Sequence, residues 1–177
     1  MSILGIVILS IIMISAIAVL SILIITRNAL IRMKNNIENS YLPMLVYLKK
    51  RLELLPELIK LVSKISKNTE NLKQLYSQLS CFDKNRTRKD FFIQELKLSL
   101  EIQNIIEISK ITPEWKDNFE LVTILNIFEE LEDNITNSRH YYNGLVKIYN
   151  NTLNEFPSRL FKKWLNLTEK EMFINNN

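Results

Sequence analysis

Few residues of this 177-residue chain have side chains that could do chemistry. His140 is the only histidine and Cys81 the only cysteine. A metal site needs several ligands close together, and neither residue has a second imidazole or thiol near it in sequence. Lys84 and Arg86 favour a Cys81 thiolate, yet no partner for nucleophilic catalysis is identifiable. We therefore expect structural or incidental roles for both residues.

Four acidic residues form the densest cluster of chemically active groups: Glu129, Glu130, Glu132 and Asp133. Two of them, Glu129 and Asp133, share one helix face at i, i+4 spacing. Paired carboxylates can serve acid–base or di-metal chemistry, but bundle metal sites add Glu-x-x-His motifs, which the sequence does not contain. A solvated helix face is the favoured interpretation. We predict no catalytic residue, no cofactor and no metal, and therefore not an enzyme.

The most regular pattern is a set of aromatic pairs seven residues apart: Tyr142-Asn143, Tyr149-Asn150 and Phe156-Pro157. Seven residues are two helical turns, so the three rings lie in one stripe on a helix. Two hypotheses follow. The stripe is either a core seam whose asparagines bond to an adjacent helix, or a groove that binds a partner.

The composition favours helices throughout. The chain has two glycines, Gly5 and Gly144, so a P-loop or a GxGxxG motif cannot be written in it. Alternating runs bounded by turn residues, the signature of strands, are missing from the sequence. The net charge of +4 is mild and lacks the dense basic clusters with interleaved aromatics of nucleic-acid surfaces. We predict an all-α protein that binds no nucleic acid.

Residues 3–25 are consecutive positions without a charge. At about 1.5 Å per residue such a helix crosses a hydrocarbon core of roughly 30 Å. A cleaved signal peptide is an alternative, because Ala16-Ile-Ala18 imitates a cleavage site, but the apolar run continues past it and no basic residue precedes it. A buried core helix is a second alternative. We predict a transmembrane helix with a short N-terminus over residues 1–26, which contacts the bilayer through residues 3–25.

The flanking charges predict the orientation. Arg27, Arg32 and Lys34 follow the span closely, with residues 49–51, which are Lys-Lys-Arg, further on. Basic residues accumulate on the cytoplasmic side. We expect a single-pass protein of the cell membrane with a short N-terminus outside and the C-terminal part in the cytoplasm. The lone cysteine agrees, because it offers no disulfide framework.

Apolar residues recur at helical spacing from Leu30 to Leu79, interrupted by Pro43 and Pro56. We expect each proline to kink the helix or to start a new one. Residues 80–87 indicate a loop. A helix is predicted over residues 88–110, with its core positions at Phe92, Leu96, Leu100 and Ile106.

Thr112-Pro113-Glu114 is a helix start signal, with a capping threonine, a proline in the first turn and an acid near the positive end of the dipole. From Trp115 the apolar stripe runs through Phe119 to Leu153, and Pro157 ends it. These long helices predict an elongated, coiled-coil-like, up-and-down antiparallel bundle over residues 27–165, followed by a C-terminal tail over residues 166–177.

Two segments resemble the LemA family. Residues 138–158 are similar to its C-terminal signature, an Arg followed by Tyr-Asn, Val, Tyr-Asn and Phe-Pro, and residues 48–62 are similar to its basic segment followed by a Leu-Ile-Pro-Asn-Leu-Val stretch. Residues 126–137 and Met172-Phe173 also match the family pattern, whereas residues 43–46 depart from it. The matching motif residues are Arg51, Leu55, Pro56, Leu58, Arg139, Tyr142, Asn143, Val146, Tyr149, Asn150, Phe156 and Pro157.

The resemblance implies a bacterial single-pass membrane protein with a cytoplasmic helical bundle and with no catalytic residues to transfer. We expect a structural or interaction protein that scaffolds or recruits an unknown protein partner at the membrane, with a homo-oligomer also possible. The motif residues either form that surface or are core. Two further classes stay open: a lipid-surface or membrane-remodelling element, and a metal-dependent enzyme or enzyme accessory subunit.

Overall fold

A computed structural model describes residues 3–65, 69–80, 87–162 and 166–173. Every regular element in these ranges is a helix, so the all-α class is confirmed. The six helices are α1 (Ile3–Ile65), α2 (Glu70–Ser80), α3 (Arg88–Ile111), α4 (Pro113–Lys116), α5 (Phe119–Asn154) and α6 (Ser158–Phe161). The predicted loop at residues 80–87 lies mostly outside the described residues.

Helix α1 continues through both of its prolines, so the expectation that each proline could start a new helix is wrong. Proline removes one hydrogen bond of the ladder and frees the carbonyl four residues earlier. Pro43 and Pro56 both lie on the exposed side of α1, where water can bond to the freed carbonyls. The chain therefore tolerates both prolines inside one 63-residue helix.

The predicted start at Thr112-Pro113 is confirmed, because Thr112 occupies the N-cap position of α4 and Pro113 is its first residue, although the Thr112 side chain makes no capping hydrogen bond. The helix ends after one turn, at Lys116. The side-chain oxygen of Asn118 then accepts a hydrogen bond from the Leu121 amide at 3.0 Å, which caps the start of α5. The predicted stripe from Trp115 to Leu153 is thus divided between a short turn and one long helix.

The chain divides into two compact units. The first unit contains Met1–Glu38 and Leu145–Lys170, and the second contains Asn39–Gly144 and Glu171–Asn177. Helices α1 and α5 each contribute a part to both units. The predicted domain boundaries at residues 26 and 165 stay predictions.

The second unit is an up-and-down helical arrangement. Tyr41 of α1 packs against Phe92 of α3, and Arg51 bonds to Ser99 further along both helices, so α1 and α3 run in the same direction. Against α5 the order is reversed, because Tyr41 contacts Tyr142 whereas Arg51 contacts Glu132. The apolar core consists of Leu55, Leu58, Leu61, Val62, Leu72, Leu75, Leu79, Leu98, Ile102, Ile105, Ile106, Trp115, Leu121, Ile124, Leu125 and Phe128.

One predicted core position is wrong. Leu100 is 61 % exposed, although Phe92 and Ile106 are buried as predicted and Leu96 is half-buried. Phe119, which the predicted apolar stripe includes, is 82 % exposed. The cause for Leu100 is the register of α3, whose buried face includes the polar residues Glu95 and Ser99. A pattern of apolar residues alone selects Leu96 and Leu100, each one residue after the buried Glu95 and Ser99.

The first unit shows an abrupt change of exposure along α1. Its apolar residues from Ile3 to Ile25 are exposed except for the half-buried Gly5 and Leu23, and the most apolar window of the helix has no buried residue. Leu30 and Ile37 are fully buried, as are Val146, Tyr149 and Leu153 at the end of α5. By length and composition, this is one helix that could cross a membrane.

Candidate functional site

The interior of the second unit holds a three-helix ion network around Arg51. The Nη1 atom of Arg51 donates to Oε1 of Glu132 on α5 at 2.5 Å and to the hydroxyl of Ser99 on α3 at 2.6 Å. Its Nη2 atom pairs with the carboxylate of Glu95 and donates to the Glu95 carbonyl at 3.3 Å. Arg51 is 0 % exposed. One guanidinium therefore ties α1, α3 and α5 together.

Burial makes this network sensitive to the removal of any member. A buried charge that loses its partner costs several kcal/mol, whereas a fully paired cluster is close to neutral in free energy. Nε of Arg51 has no hydrogen-bond partner among the described residues. Arg139 is also buried, and loss of solvent lowers the pKa of its guanidinium; the charge of Glu132 opposes this shift and the charge of Arg51 adds to it. Two positive and two negative side chains thus balance inside the unit.

The network corrects one expectation and decides an open one. The solvated-face interpretation is wrong for Glu132, which is 5 % exposed, although Glu130 and Asp133 are exposed as expected and Glu129 pairs at the surface with Lys110 at 2.7 Å. Arg51, a motif residue for which core and partner surface were both left open, is interior. Sequence reasoning missed Glu95 and Ser99 as partners, because they lie 44 and 48 residues from Arg51 and no local pattern links them to it.

An aromatic cluster adjoins the network in the same unit. Phe92 stacks on Phe173 with ring centroids 4.2 Å apart, and it meets Tyr41 and Tyr142 edge to face at 6.0 and 5.8 Å. Arg139 lies over the Phe173 ring at 5.7 Å. Such ring pairs and cation contacts add to the free energy of burial. The cluster brings α1, α3, α5 and the C-terminal segment to one point.

Asn143 holds the C-terminal segment in the second unit. Its side-chain nitrogen donates to the Phe173 carbonyl, and its side-chain oxygen accepts from the Phe173 amide, both at 2.7 Å. The Tyr142 hydroxyl donates to the Glu171 carbonyl at 2.9 Å. The asparagine thus pairs with backbone as a neighbouring strand would.

Asn150 repeats this arrangement in the first unit. Its side chain donates to the Lys170 carbonyl and accepts from the Lys170 amide, both at 2.9 Å, while the Tyr149 hydroxyl donates to the Thr168 carbonyl at 3.2 Å. Burial raises the pKa of Tyr149. The ammonium group of Lys170 reaches Glu38 of α1 at 2.7 Å. The asparagines therefore bond to a non-helical segment, where the core hypothesis expected an adjacent helix.

Most of the family-motif residues are interior. Buried among them are Arg51, Leu55, Leu58, Arg139, Tyr142, Val146 and Tyr149. Asn143, Asn150 and Pro157 are half-buried, whereas Pro56 and Phe156 are exposed. The aromatic stripe thus ends after Tyr149, because Phe156 lies two residues beyond the end of α5 and is 83 % exposed. A spacing of seven residues places side chains on one face only within a helix, and Phe156 lies outside α5.

The remaining candidate residues are not brought together. His140 is exposed on α5, and Cys81 lies outside the described residues. Within the described ranges, no group of three or more His, Cys, Asp or Glu side chains is placed to hold a metal ion.

A surface groove of about 450 Å³ lies in the second unit, between the last turns of α1 and the first turns of α5. Its apolar wall includes Phe119 and Ile127, so the exposed Phe119 ring lies along this groove. Lys60, Lys64 and Glu120 line its polar edge. An apolar floor with charged edges is the kind of surface that accepts an amphipathic helix.

Comparison with curated proteins and with solved structures gives no match. The family model of the LemA family matches residues 41–177, which is more than half of the chain. The match contains the ion network, the aromatic cluster and both asparagine contacts. The chain therefore belongs to the LemA family.

Proposed function

We propose that this protein is a membrane-anchored interaction protein rather than an enzyme. In this proposal, residues 3–25 of α1 cross the cell membrane, and the rest of the chain lies on the cytoplasmic side and recruits or organises a protein partner. The family assignment is consistent with this role.

One observation carries the proposal. In the first unit, α1 continues without a break from the exposed apolar stretch to Leu30, which is 0 % exposed. Only four residues separate Ile25 from this buried position. A signal peptide needs a site at which it can be cleaved off, whereas here the helix that would be removed is continuous with one that packs. The continuity of α1 supports an anchor that is joined to its domain by an uninterrupted helix, without a linker.

Surface charge supports the orientation. Arg27, Arg32 and Lys34 are exposed and follow the apolar stretch directly. Arg51 no longer belongs to this count because it is buried, but the nearer residues dominate the positive-inside preference. The C-terminal part is therefore assigned to the cytoplasm.

Thiol labelling tests the anchor and its orientation. In a Cys81→Ser background, a cysteine is placed at Ser2 or at the exposed Lys97 of α3. We expect a membrane-impermeant maleimide to label Ser2→Cys in intact cells, and to label Lys97→Cys only after the cells are permeabilised. Labelling of Lys97→Cys in intact cells would contradict the orientation, and recovery of either variant in the soluble fraction would contradict the anchor.

The groove beside Phe119 is the proposed recruiting surface, and an amphipathic helix is the proposed occupant. A photo-crosslinking phenylalanine analogue at Phe119 tests it, with Leu100 as the matched control because it is also exposed and apolar but does not line the groove. We expect a discrete crosslinked species in the membrane fraction at position 119 only. Equal crosslinking at both positions, or none at 119, would contradict the proposal; mass spectrometry separates a second copy of this chain from another protein.

A further inference from the structure

The net positive charge of the chain belongs to one of its two units. The first unit has eight Lys and Arg against three Asp and Glu, a net charge of +5. The second unit has 15 basic and 16 acidic residues, a net charge of −1. The unit that contains the apolar stretch thus carries the whole positive excess.

Pairing leaves this excess at the surface. Two of the three acids of the first unit are matched internally, Glu38 by Lys170 and Glu169 by Lys162. Arg27, Arg32, Lys34 and Arg159 are exposed and form no ion pair with a described residue. These four side chains are available to an anionic surface.

The first unit also exposes large apolar side chains that do not belong to the proposed span. Phe156 is 83 % exposed and Leu160 is 66 % exposed, and Arg159 lies between them in sequence. An aromatic ring and a leucine next to an arginine are the combination that enters the headgroup region of a bilayer, with the apolar groups inserted and the guanidinium among the phosphates.

The turn after α5 belongs to the same compact unit as the apolar stretch, because the first unit joins Met1–Glu38 to Leu145–Lys170. Within this unit, Lys170 joins Glu38 of α1 to Asn150 of α5. From this junction α1 leads back to Arg27 and the apolar stretch, and α5 leads on to Phe156.

We propose that the turn after α5, with Phe156, Arg159 and Leu160, docks onto anionic lipid headgroups together with Arg27, Arg32 and Lys34. The occupant is the bilayer that the anchor crosses, so this inference rests on the proposed function. Anionic lipids attract juxtamembrane basic residues, and their effect falls off within a Debye length. The docked turn gives the domain a second attachment to the membrane besides the span.

Site-specific fluorescence in lipid nanodiscs tests the docking with the full chain. In a Cys81→Ser background, an environment-sensitive fluorophore is attached at Phe156→Cys, and a nitroxide-labelled lipid serves as quencher. The matched control is Phe119→Cys, because Phe119 is 82 % exposed but belongs to the second unit. We expect the 156 label to lose much of its emission in discs that contain anionic lipid, and the 119 label to keep it.

A third label separates failure of the docking from failure of the anchor. Ser15→Cys lies in the middle of the apolar stretch and should be quenched in every disc. Quenching at 15 without quenching at 156 would overturn the docking and leave the anchor intact, whereas no quenching at 15 would overturn the anchor. Equal quenching at 156 in purely zwitterionic discs would overturn the requirement for anionic lipid.

Charge reversal tests the electrostatic part. Arg159→Glu should reduce the quenching of the 156 label in anionic discs, and high salt should do the same, because both weaken attraction to the headgroups. The control is Lys97→Glu, an exposed basic residue of the second unit, which should leave the quenching unchanged. The same loss in both variants would show an effect of net charge alone and would contradict a specific docked turn.

Discussion

The two units of this chain place their charges in opposite ways. In the second unit the charges that pair across helices are inside, where Arg51 meets Glu95 and Glu132, and the net charge is close to zero. In the first unit the interior is apolar around Leu30 and Tyr149, while the excess of positive charge is on the surface. Buried charges specify which helices pack together, and exposed charges specify what lies outside. The second unit thus pairs charges in its interior, whereas the first unit presents basic side chains at its surface.

Under the proposed function, this difference gives the two units separate tasks. The second unit needs a fixed arrangement of α1, α3 and α5, because the groove beside Phe119 is formed by helices that must keep their positions. The first unit needs exposed basic and apolar groups next to the apolar stretch. A substitution should therefore alter folding when it affects the ion network, and membrane contact when it affects the basic surface.

The largest effect is expected from breaking the ion network. Arg51→Ala leaves the Glu95 and Glu132 carboxylates buried without their partner, which costs about 3–5 kcal/mol in the free energy of unfolding. Urea denaturation followed by circular dichroism measures the loss. The neighbouring exposed Lys50→Ala is the control and should change the free energy by less than about 0.5 kcal/mol.

A compensated variant sharpens this prediction. Replacing Arg51, Glu95, Glu132 and Arg139 together by apolar residues of similar volume removes all four charges and should recover most of the stability. A loss for Arg51→Ala as small as that for Lys50→Ala would show that the network does not hold the unit together.

The next largest effect separates interior from surface along the aromatic repeat. Tyr149→Ala should cost about 3–5 kcal/mol because the ring is fully buried in the first unit. Phe156→Ala, seven residues later, should change the free energy of unfolding by less than about 0.5 kcal/mol because its ring is exposed. Similar losses for both, measured by the same denaturation, would restore the hypothesis of one continuous core stripe.

A smaller effect is expected at the C-terminal segment. Asn150→Ala removes both hydrogen bonds to the backbone of Lys170, which should cost about 1–3 kcal/mol locally. Hydrogen exchange at the Lys170 amide reports it, because this amide donates to the Asn150 side chain. The exposed neighbour Asn151→Ala should leave the exchange rate unchanged. No acceleration in Asn150→Ala would contradict the assigned contact.

The smallest effect is an acid dependence at Glu169. The hydrogen bond from Asn154, and then the hydrogen bond and charge of Lys162, lower the pKa of this exposed carboxyl. A lowered pKa in the folded chain means that the stabilisation is present above the unfolded value of 4.5 and is lost as the pH falls through the folded pKa. Exchange in residues 166–173 should therefore accelerate slightly in acid.

Two variants test that assignment. Glu169→Gln should remove the acid-dependent part of the exchange, whereas Glu155→Gln, an exposed acid without a described ion-pair partner, should retain it. The same acid dependence in Glu169→Gln as in the parent chain would contradict the role given to Glu169.

Local patterns predicted much of the fold. The charge-free run to Ile25, the start at Thr112-Pro113 and the placement of Tyr142 and Tyr149 on one helix face each depend on neighbours in sequence, so helix period and capping rules suffice for them. The family-motif residues could be found in the same way. Their role could not, because burial is set by packing against distant segments.

The rest depends on long-range pairing. Arg51 lies beside two lysines and has their surface character in sequence, yet its partners are 44 and 81 residues away. The carboxylate of Glu132 is in the middle of an acidic cluster and is buried because a guanidinium reaches it. The bonds of Asn143 and Asn150 go to a segment without helical period, which sequence reasoning treated as a tail.

Hydrogen exchange of the full chain in nanodiscs with and without anionic lipid tests the contrast between the units most directly. We predict that anionic lipid adds protection in residues 27–38 and 155–162 and leaves α3 unchanged, because the excess positive charge and the exposed turn belong to the first unit. Added protection in α3, or none in residues 155–162, would contradict the division of tasks.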